Sequence, residues 1–288
     1  MEVSNKYLKK LLQEMNNFLI NNTKMPEDLA FSFVGELRVS NLIIPTNLND
    51  DELDFPFINV ENNIILPLFT GMDEFNRDFN EFLPLVNDFE FYANMVKELD
   101  LDGIVINPRF EDFFAAKELI SQIPPLNADY TGEALGESEL KDLAFNTTND
   151  DLLKFIQADE NFNKFEKLVP KLEKSTTLNA VISNCNGKTI RSDECELEIM
   201  TKKEGTEIYV AIFTDLGAVL KADATEYVQV SNLFEVVKHV LTNDMDGIII
   251  NPDSDNYFVP RNIILEGIDE KAIVKSELAD AHDYAFKI

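Results

Sequence analysis

Two strings in this 288-residue chain end an apolar run on a polar side chain: Asp102-Gly-Ile-Val-Ile-Asn-Pro108 and Asp246-Gly-Ile-Ile-Ile-Asn-Pro252. An Asn at the carboxyl end of a strand can both donate and accept, and α/β folds bind ligands outside those ends. Asn107 and Asn251 are therefore candidate ligand-binding residues. Asp102 and Asp246 at the head of each string join them, as do Thr70 and Thr214 upstream. The alternative is structural: Asp-Gly builds a tight turn, and Asn closes the turn before Pro. A concave pocket holding both Asn residues would favour the ligand. Burial of both, with an exposed apolar patch elsewhere, would favour protein binding.

Other chemistry is weaker. Glu98, Asp100 and Asp102 followed by Gly103 imitate the first half of a calcium loop, but the twelfth place holds Arg109 and the eleventh Pro108. The second string has Thr242 at the first place and Asp253 at the twelfth. His239 and His282 are isolated, and two His with two Cys at unpaired spacing make no zinc site. No nucleophile elbow, phosphate loop or zinc-protease box is present. No catalytic residue, metal or cofactor is assigned. Cys185 and Cys195 are expected as free, partly buried thiols, with pairing across a hairpin as the alternative.

The formal net charge of −28 repels phosphate backbones and anionic lipid surfaces, which excludes nucleic acid and membranes as partners. Acids concentrated on one face would instead make a nucleic-acid mimic. The N-terminus lacks a signal-peptide pattern and no apolar run would span a bilayer, so the expected location is the cytoplasm.

The elements that must position these residues repeat. Asp102 and Asp246, Phe69 and Phe213, Ile64 and Ile208, Leu53 and Leu197, and Asn5 and Asn149 all stand 144 residues apart, which suggests one register without gaps. Each copy opens with an amphipathic helix, Asn5 being the expected N-cap of the first. Strands follow at Val39–Pro45, Phe55–Val60 and Ile64–Phe69, and at Asn179–Ser183, Leu197–Thr201 and Glu207–Phe213. Thr70 and Thr214 are expected helix entries. A helix over Phe89–Leu99 or Leu233–Leu241 then leads through Asp-Gly into a buried strand. Phe69, Ile104, Ile106, Phe213, Ile248 and Ile250 are expected in the core. The stretch after Pro124-Pro125, including Gly132–Gly136, has linker composition.

The pattern predicts an α+β chain of two tandem modules, each a mixed sheet packed against helices, related by an approximate internal twofold. The modules are placed at 1–125 and 149–288, with a linker over 126–148. A monomer serving as its own pseudo-dimer follows from that arrangement. With a duplicated scaffold and no assigned chemistry, the leading function is a non-enzymatic protein-interaction or regulatory module. The rival is a small-ligand-binding protein or enzyme using Asn107 and Asn251.

The two Asp-Gly-Ile strings, each preceded 33 residues earlier by Phe-Thr, resemble the SseB amino-terminal-domain family. Leu66-Pro-Leu-Phe-Thr70 is similar to that family's strand-then-helix signature, and Val259-Pro-Arg261 to its downstream element. The chain departs from the pattern at Ala115-Ala-Lys117 and at Ala211. The resemblance spans roughly residues 30–123 and 176–268. It implies a small domain without established catalytic residues.

Overall fold

A computed structural model describes every residue except 1, 2, 4, 22, 23, 50, 51, 131–133, 159–167, 169, 173, 223–225, 268–272, 277 and 279. The chain forms two compact units, Met1–Leu126 with Leu241–Asp244, and Asn127–Val240 with Met245–Ile288. Among the described residues no helix is long and apolar enough to cross a membrane.

The first unit opens with α1 (Lys6–Ile20), whose Leu8, Leu12 and Met15 recur at helical spacing and are buried. Helix α2 (Glu27–Val39) starts directly after Pro26, a residue whose fixed φ suits a helix entry. Strands β1 (Asn41–Asn49), β2 (Glu52–Asp54) and β5 (Leu83–Asp88) form an antiparallel sheet in the order β2-β1-β5. A second sheet has the order β3-β4-β6-β7, from Ile58–Val60, Asn63–Leu68, Gly103–Ile106 and Phe113–Ala116. Its central pair β4–β6 is parallel, and α3 (Met72–Asp78), β5 and α4 (Phe89–Glu98) make the crossover. Helix α5 (Lys117–Ile120) follows β7. Leu42, Ile44, Leu66, Ile104 and Ile106 share one core with α1, α2 and α4.

The second unit uses the same plan with additions. Strand β8 (Asn127–Tyr130) precedes helices α6 (Glu137–Asn146) and α7 (Asp150–Gln157). Strands β9 (Thr177–Ser183), β10 (Thr189–Arg191) and β11 (Leu197–Ile199) follow. The four-stranded sheet is β12 (Thr201–Glu204), β13 (Glu207–Ile212), β15 (Gly247–Ile250) and β16 (Tyr257–Pro260), with β13–β15 parallel. Helix α8 (Leu216–Lys221), strand β14 (Tyr227–Ser231) and helix α9 (Leu233–Thr242) make the crossover. Helix α10 (Arg261–Gly267), β17 (Ile273–Ser276) and β18 (Tyr284–Lys287) complete the unit. The larger sheet has the order β10-β18-β14-β9-β11, and β17 pairs in parallel with β8.

The α+β class and the six named core residues are as expected. Three expectations need correction. The stretch expected to be a linker carries β8 and α6, and Leu140 and Ala144 of α6 are buried in the second unit's core. Glu139 closes the start of that helix by accepting the Gly136 N–H at 2.9 Å, a capping interaction hidden in a Gly-rich stretch. Gly132 lies outside the described residues. The helices expected at Thr70 and Thr214 begin two residues later, behind Gly71 and Asp215.

The ungapped register is also overturned. Phe69 bridges Ile43 in the first unit, and Phe213 bridges Leu178 in the second. Ile43 and Leu178 stand 135 residues apart, whereas Phe69 and Phe213 stand 144 apart. Ser40 donates to Glu36 O and Ser175 to Lys171 O, again 135 apart. The second unit is thus nine residues shorter between α7 and β9 than the first is between α1 and β1, and nine longer between β9 and β11 than the first is between β1 and β2. The two changes cancel, so residues on either side keep one offset.

Candidate functional site

Both strand ends build the same buried latch. Asn107 takes a left-handed backbone, φ 49°, and its carbonyl accepts the N–H groups of Phe110 and Asp112. Asn tolerates that conformation better than most residues. Its side chain is thereby turned back toward Thr70. Oδ1 accepts the Thr70 backbone N–H at 2.9 Å, and Nδ2 donates to Thr70 Oγ1 at 2.8 Å and to Glu111 Oε2 at 2.9 Å. In the second unit Asn251 has φ 50°. Its Oδ1 accepts from Thr214 N at 2.9 Å, and its Nδ2 donates to Thr214 Oγ1 at 2.9 Å and to Asp255 Oδ2 at 2.9 Å.

The latch extends to α1 in the first unit and α7 in the second. Asn5 Nδ2 donates to the carbonyls of Thr70 and Asn41, and Asn149 Nδ2 to those of Thr214 and Thr176. Asn5 was expected to cap α1 with its side chain. Instead its carbonyl begins the helix by accepting Lys9 N–H, while the amide ties that helix to two strand ends. The shared separations announce this network: 37 residues from Thr to Asn, and 65 from the helix Asn to Thr, in both units.

Asp102 and Asp246 sit at the other end of the same strands. Each carboxylate accepts a backbone N–H, from Ile64 at 2.7 Å and from Ile208 at 2.8 Å. The adjoining glycines are sterically required. A Cβ on Gly103 would lie 2.3 Å from Ala115 O, and one on Gly247 2.1 Å from Val259 O. Gly247 also has φ 149°, which L side chains rarely adopt. Asp100, the middle acid of the calcium-like string, pairs with Lys117, which holds its carboxyl below the usual range. Among the described residues no three His, Cys, Asp or Glu side chains gather as metal ligands would.

Thr70 meets Asn107 and Thr214 meets Asn251, whereas Asp102 and Asp246 stand apart at the opposite strand ends, and all six serve their own fold. Asn107 uses both amide N–H groups and its side-chain oxygen inside the first unit, and Asn251 does the same inside the second. Thr70, Asn107, Thr214 and Asn251 are all buried. A buried backbone N–H left unpaired costs about 1–3 kcal/mol, so the latch stabilises a strand end that lacks a sheet neighbour for Thr70 or Thr214.

Cys185 and Cys195, expected as free thiols, are joined in a disulfide. It closes the nine-residue insertion of the second unit. Both half-cystines pack with Leu197 against Val181, Ile190, Tyr227 and Ala285. The Tyr227 hydroxyl donates to Cys185 O and accepts from Gly187 N, each at 3.2 Å. The loop therefore lies over one end of the sheet β11-β9-β14. By the pairings above, the first-unit counterparts of Val181, Leu197 and Tyr227 are Thr46, Leu53 and Leu83. There only two residues separate β1 from β2, and Leu48, Leu53 and Leu83 are 59%, 54% and 57% exposed, against 1% for Tyr227. Leu48 pairs with Leu53, and Thr46, two residues along β1 on the same face, pairs with Leu83. This patch was missed in the sequence because its signal is a comparison. It appears only once the nine-residue shift puts Leu48 opposite Ser183.

No family model matches the chain, and no curated protein matches it in sequence. The resemblance to the SseB amino-terminal domain thus rests on the residues quoted for it. One solved structure, Anabaena Tic22 (protein transport), is similar over 90% of this chain and 96% of that one, at 12% identity and a TM-score of 0.20. That score is too low to bear on fold or role.

Proposed function

We propose that this chain is a non-enzymatic protein-interaction module, built from two copies of one SseB-like unit, that binds a protein partner through the leucine patch of its first unit. The observation that carries the reading is the exposed set Leu48, Leu53 and Leu83, because Leu197 and Tyr227, the second-unit counterparts of Leu53 and Leu83, pack with the cystine. Large apolar side chains clustered on one sheet face favour association over solvation. Strand β5 adds an edge: among the described residues it pairs only with β1, whereas its counterpart β14 pairs with both β9 and β18. Exposed edges recruit extended segments of other chains.

The rival reading, a ligand held by Asn107 and Asn251, draws no support from the latch, whose amides are engaged within each unit. The partner's docking segment should present apolar side chains to the patch, as Cys185, Ile190 and Cys195 do at the matching place in the second unit.

The test is a binding measurement with a partner captured from the host and then purified. Leu53→Asp and Leu83→Asp should each weaken binding at least about ten-fold, since burying an unpaired carboxylate in an apolar contact is costly. Folding of both variants would be verified by circular dichroism. Unchanged affinity in both folded variants would refute the assignment.

A further inference from the structure

The first unit contains a cavity of about 370 Å³ between the end of α2, one face of α4, and the segment from α5 through Pro124-Pro125. Phe89, Ala93, Val96, Ile120 and Ile123 supply apolar walls, and Arg38, Lys97 and Lys117 supply cations against the single acid Glu90. A cationic pocket is unexpected in a chain of net charge −28. Lys117 is already engaged by Asp100. Arg38 is not so engaged: its Nε is shielded from solvent and has no hydrogen-bond acceptor among the described residues. Burial holds its guanidinium below the usual range. A buried N–H that has given up water and gained nothing is costly, and such a group marks a place where an acceptor belongs.

We propose that this cavity binds a small apolar carboxylate, with the carboxylate on the Arg38 guanidinium and the apolar body against Phe89, Val96 and Ile120. The planar guanidinium fork, presented by its terminal N–H groups, matches the two oxygens of a carboxylate. The apolar walls select against small inorganic anions, which would lose hydration there without recovering it. The volume lies at the small end of the range for ligand pockets, which fits a compact acid. Lys97 supplies a second positive charge at the rim.

The site belongs to the first unit. At the places of Glu90, Ala93 and Asn94 the second unit has Phe234, Val237 and Lys238, and its Phe234 and Val237 are buried. At the place of Lys117 stands Arg261, which donates to Val240 O at 2.8 Å and Met245 O at 3.2 Å and is buried. There the basic group is tied to the chain's own carbonyls.

Isothermal titration calorimetry on the full-length protein would compare 3-phenylpropanoate with its neutral counterpart 3-phenylpropanamide. Saturable binding of the carboxylate, at least about ten-fold tighter than the amide, is expected. Arg38→Met should remove that preference, and Ala93→Phe should weaken both ligands by filling the cavity. No saturable binding of the carboxylate, or equal binding of acid and amide, would overturn the proposal, as would an Arg38→Met protein that keeps the preference. Should Arg38→Met fail to fold, the acid-against-amide comparison on the unchanged protein still decides.

Discussion

The strand ends of the two units match closely, whereas the far ends of the sheets β2-β1-β5 and β10-β18-β14-β9-β11 do not. At the strand ends, Asn107 and Asn251 share their φ to within a degree, and each bonds the same atoms of Thr70 or Thr214. At the far ends, one unit has three exposed leucines, and the other has a buried tyrosine and a cystine-closed loop at the corresponding place. The latch is fixed because every polar atom in it depends on another. The far end is free to vary because it lies on the surface, where one unit adds a cover and the other leaves its leucines in solvent. The interior differs as well. Leu42, Ile44 and Leu85 of the first unit pack with Tyr92, whose hydroxyl reaches Leu42 O at 2.9 Å. Their second-unit counterparts are Thr177, Asn179 and Gln229, with Val236 in place of Tyr92.

If the latches and their turns are equivalent, equal damage should cost equally. The largest effect is expected at the glycines. Gly247→Ala should cost about 4 kcal/mol or more, from a 2.1 Å collision with backbone and a disfavoured φ together. Gly103→Ala meets only the collision and should cost less. Urea unfolding of each variant measures both, and the reverse order would break the account of the turn.

Next come Asn107→Ala and Asn251→Ala, each of which strands a buried Thr N–H. Each should cost about 2–3 kcal/mol. A cost below about 1 kcal/mol in one unit alone would show that its latch is not the equal of the other.

A smaller effect, of opposite sign, is expected in the second unit's polar interior. Ser231 Oγ and Asn179 Oδ1 are buried without a partner among the described residues. Ser231→Ala should stabilise the protein by about 1 kcal/mol in the same urea assay. A loss of stability would mean that the hydroxyl is satisfied.

The smallest effect concerns His239, whose first-unit counterpart is Met95. Burial pushes its imidazole below the ordinary value of 6.5. The folded state therefore holds that proton less tightly than the unfolded state. The stability it contributes is full above about pH 6.5 and declines as the pH falls below it. His239→Met should flatten the stability profile on that acid side, and an unchanged profile would refute the assignment.

The sequence made the strands, the Asp-Gly turns and the core apolar residues readable, because period and turn chemistry are local. It also placed Thr70, Asn107 and their counterparts as notable, though as ligand residues. Their true partners lie 37 and 65 residues away, and no local pattern encodes such a pairing. The cystine was legible only as an alternative, since two cysteines ten residues apart pair or not according to whether a loop brings them together. The nine-residue shift was invisible because its two halves cancel outside the affected strand.

The central claim is that the first unit's sheet end is an interaction surface and the second unit's is not. Photo-crosslinking tests it directly, with a benzophenone side chain placed at Leu53 in one protein and at its counterpart Leu197 in another, both expressed in the host. The account predicts one discrete protein adduct from position 53 and none from 197, where the cystine loop occupies the surface. Adducts from both positions, or from 197 alone, would contradict it.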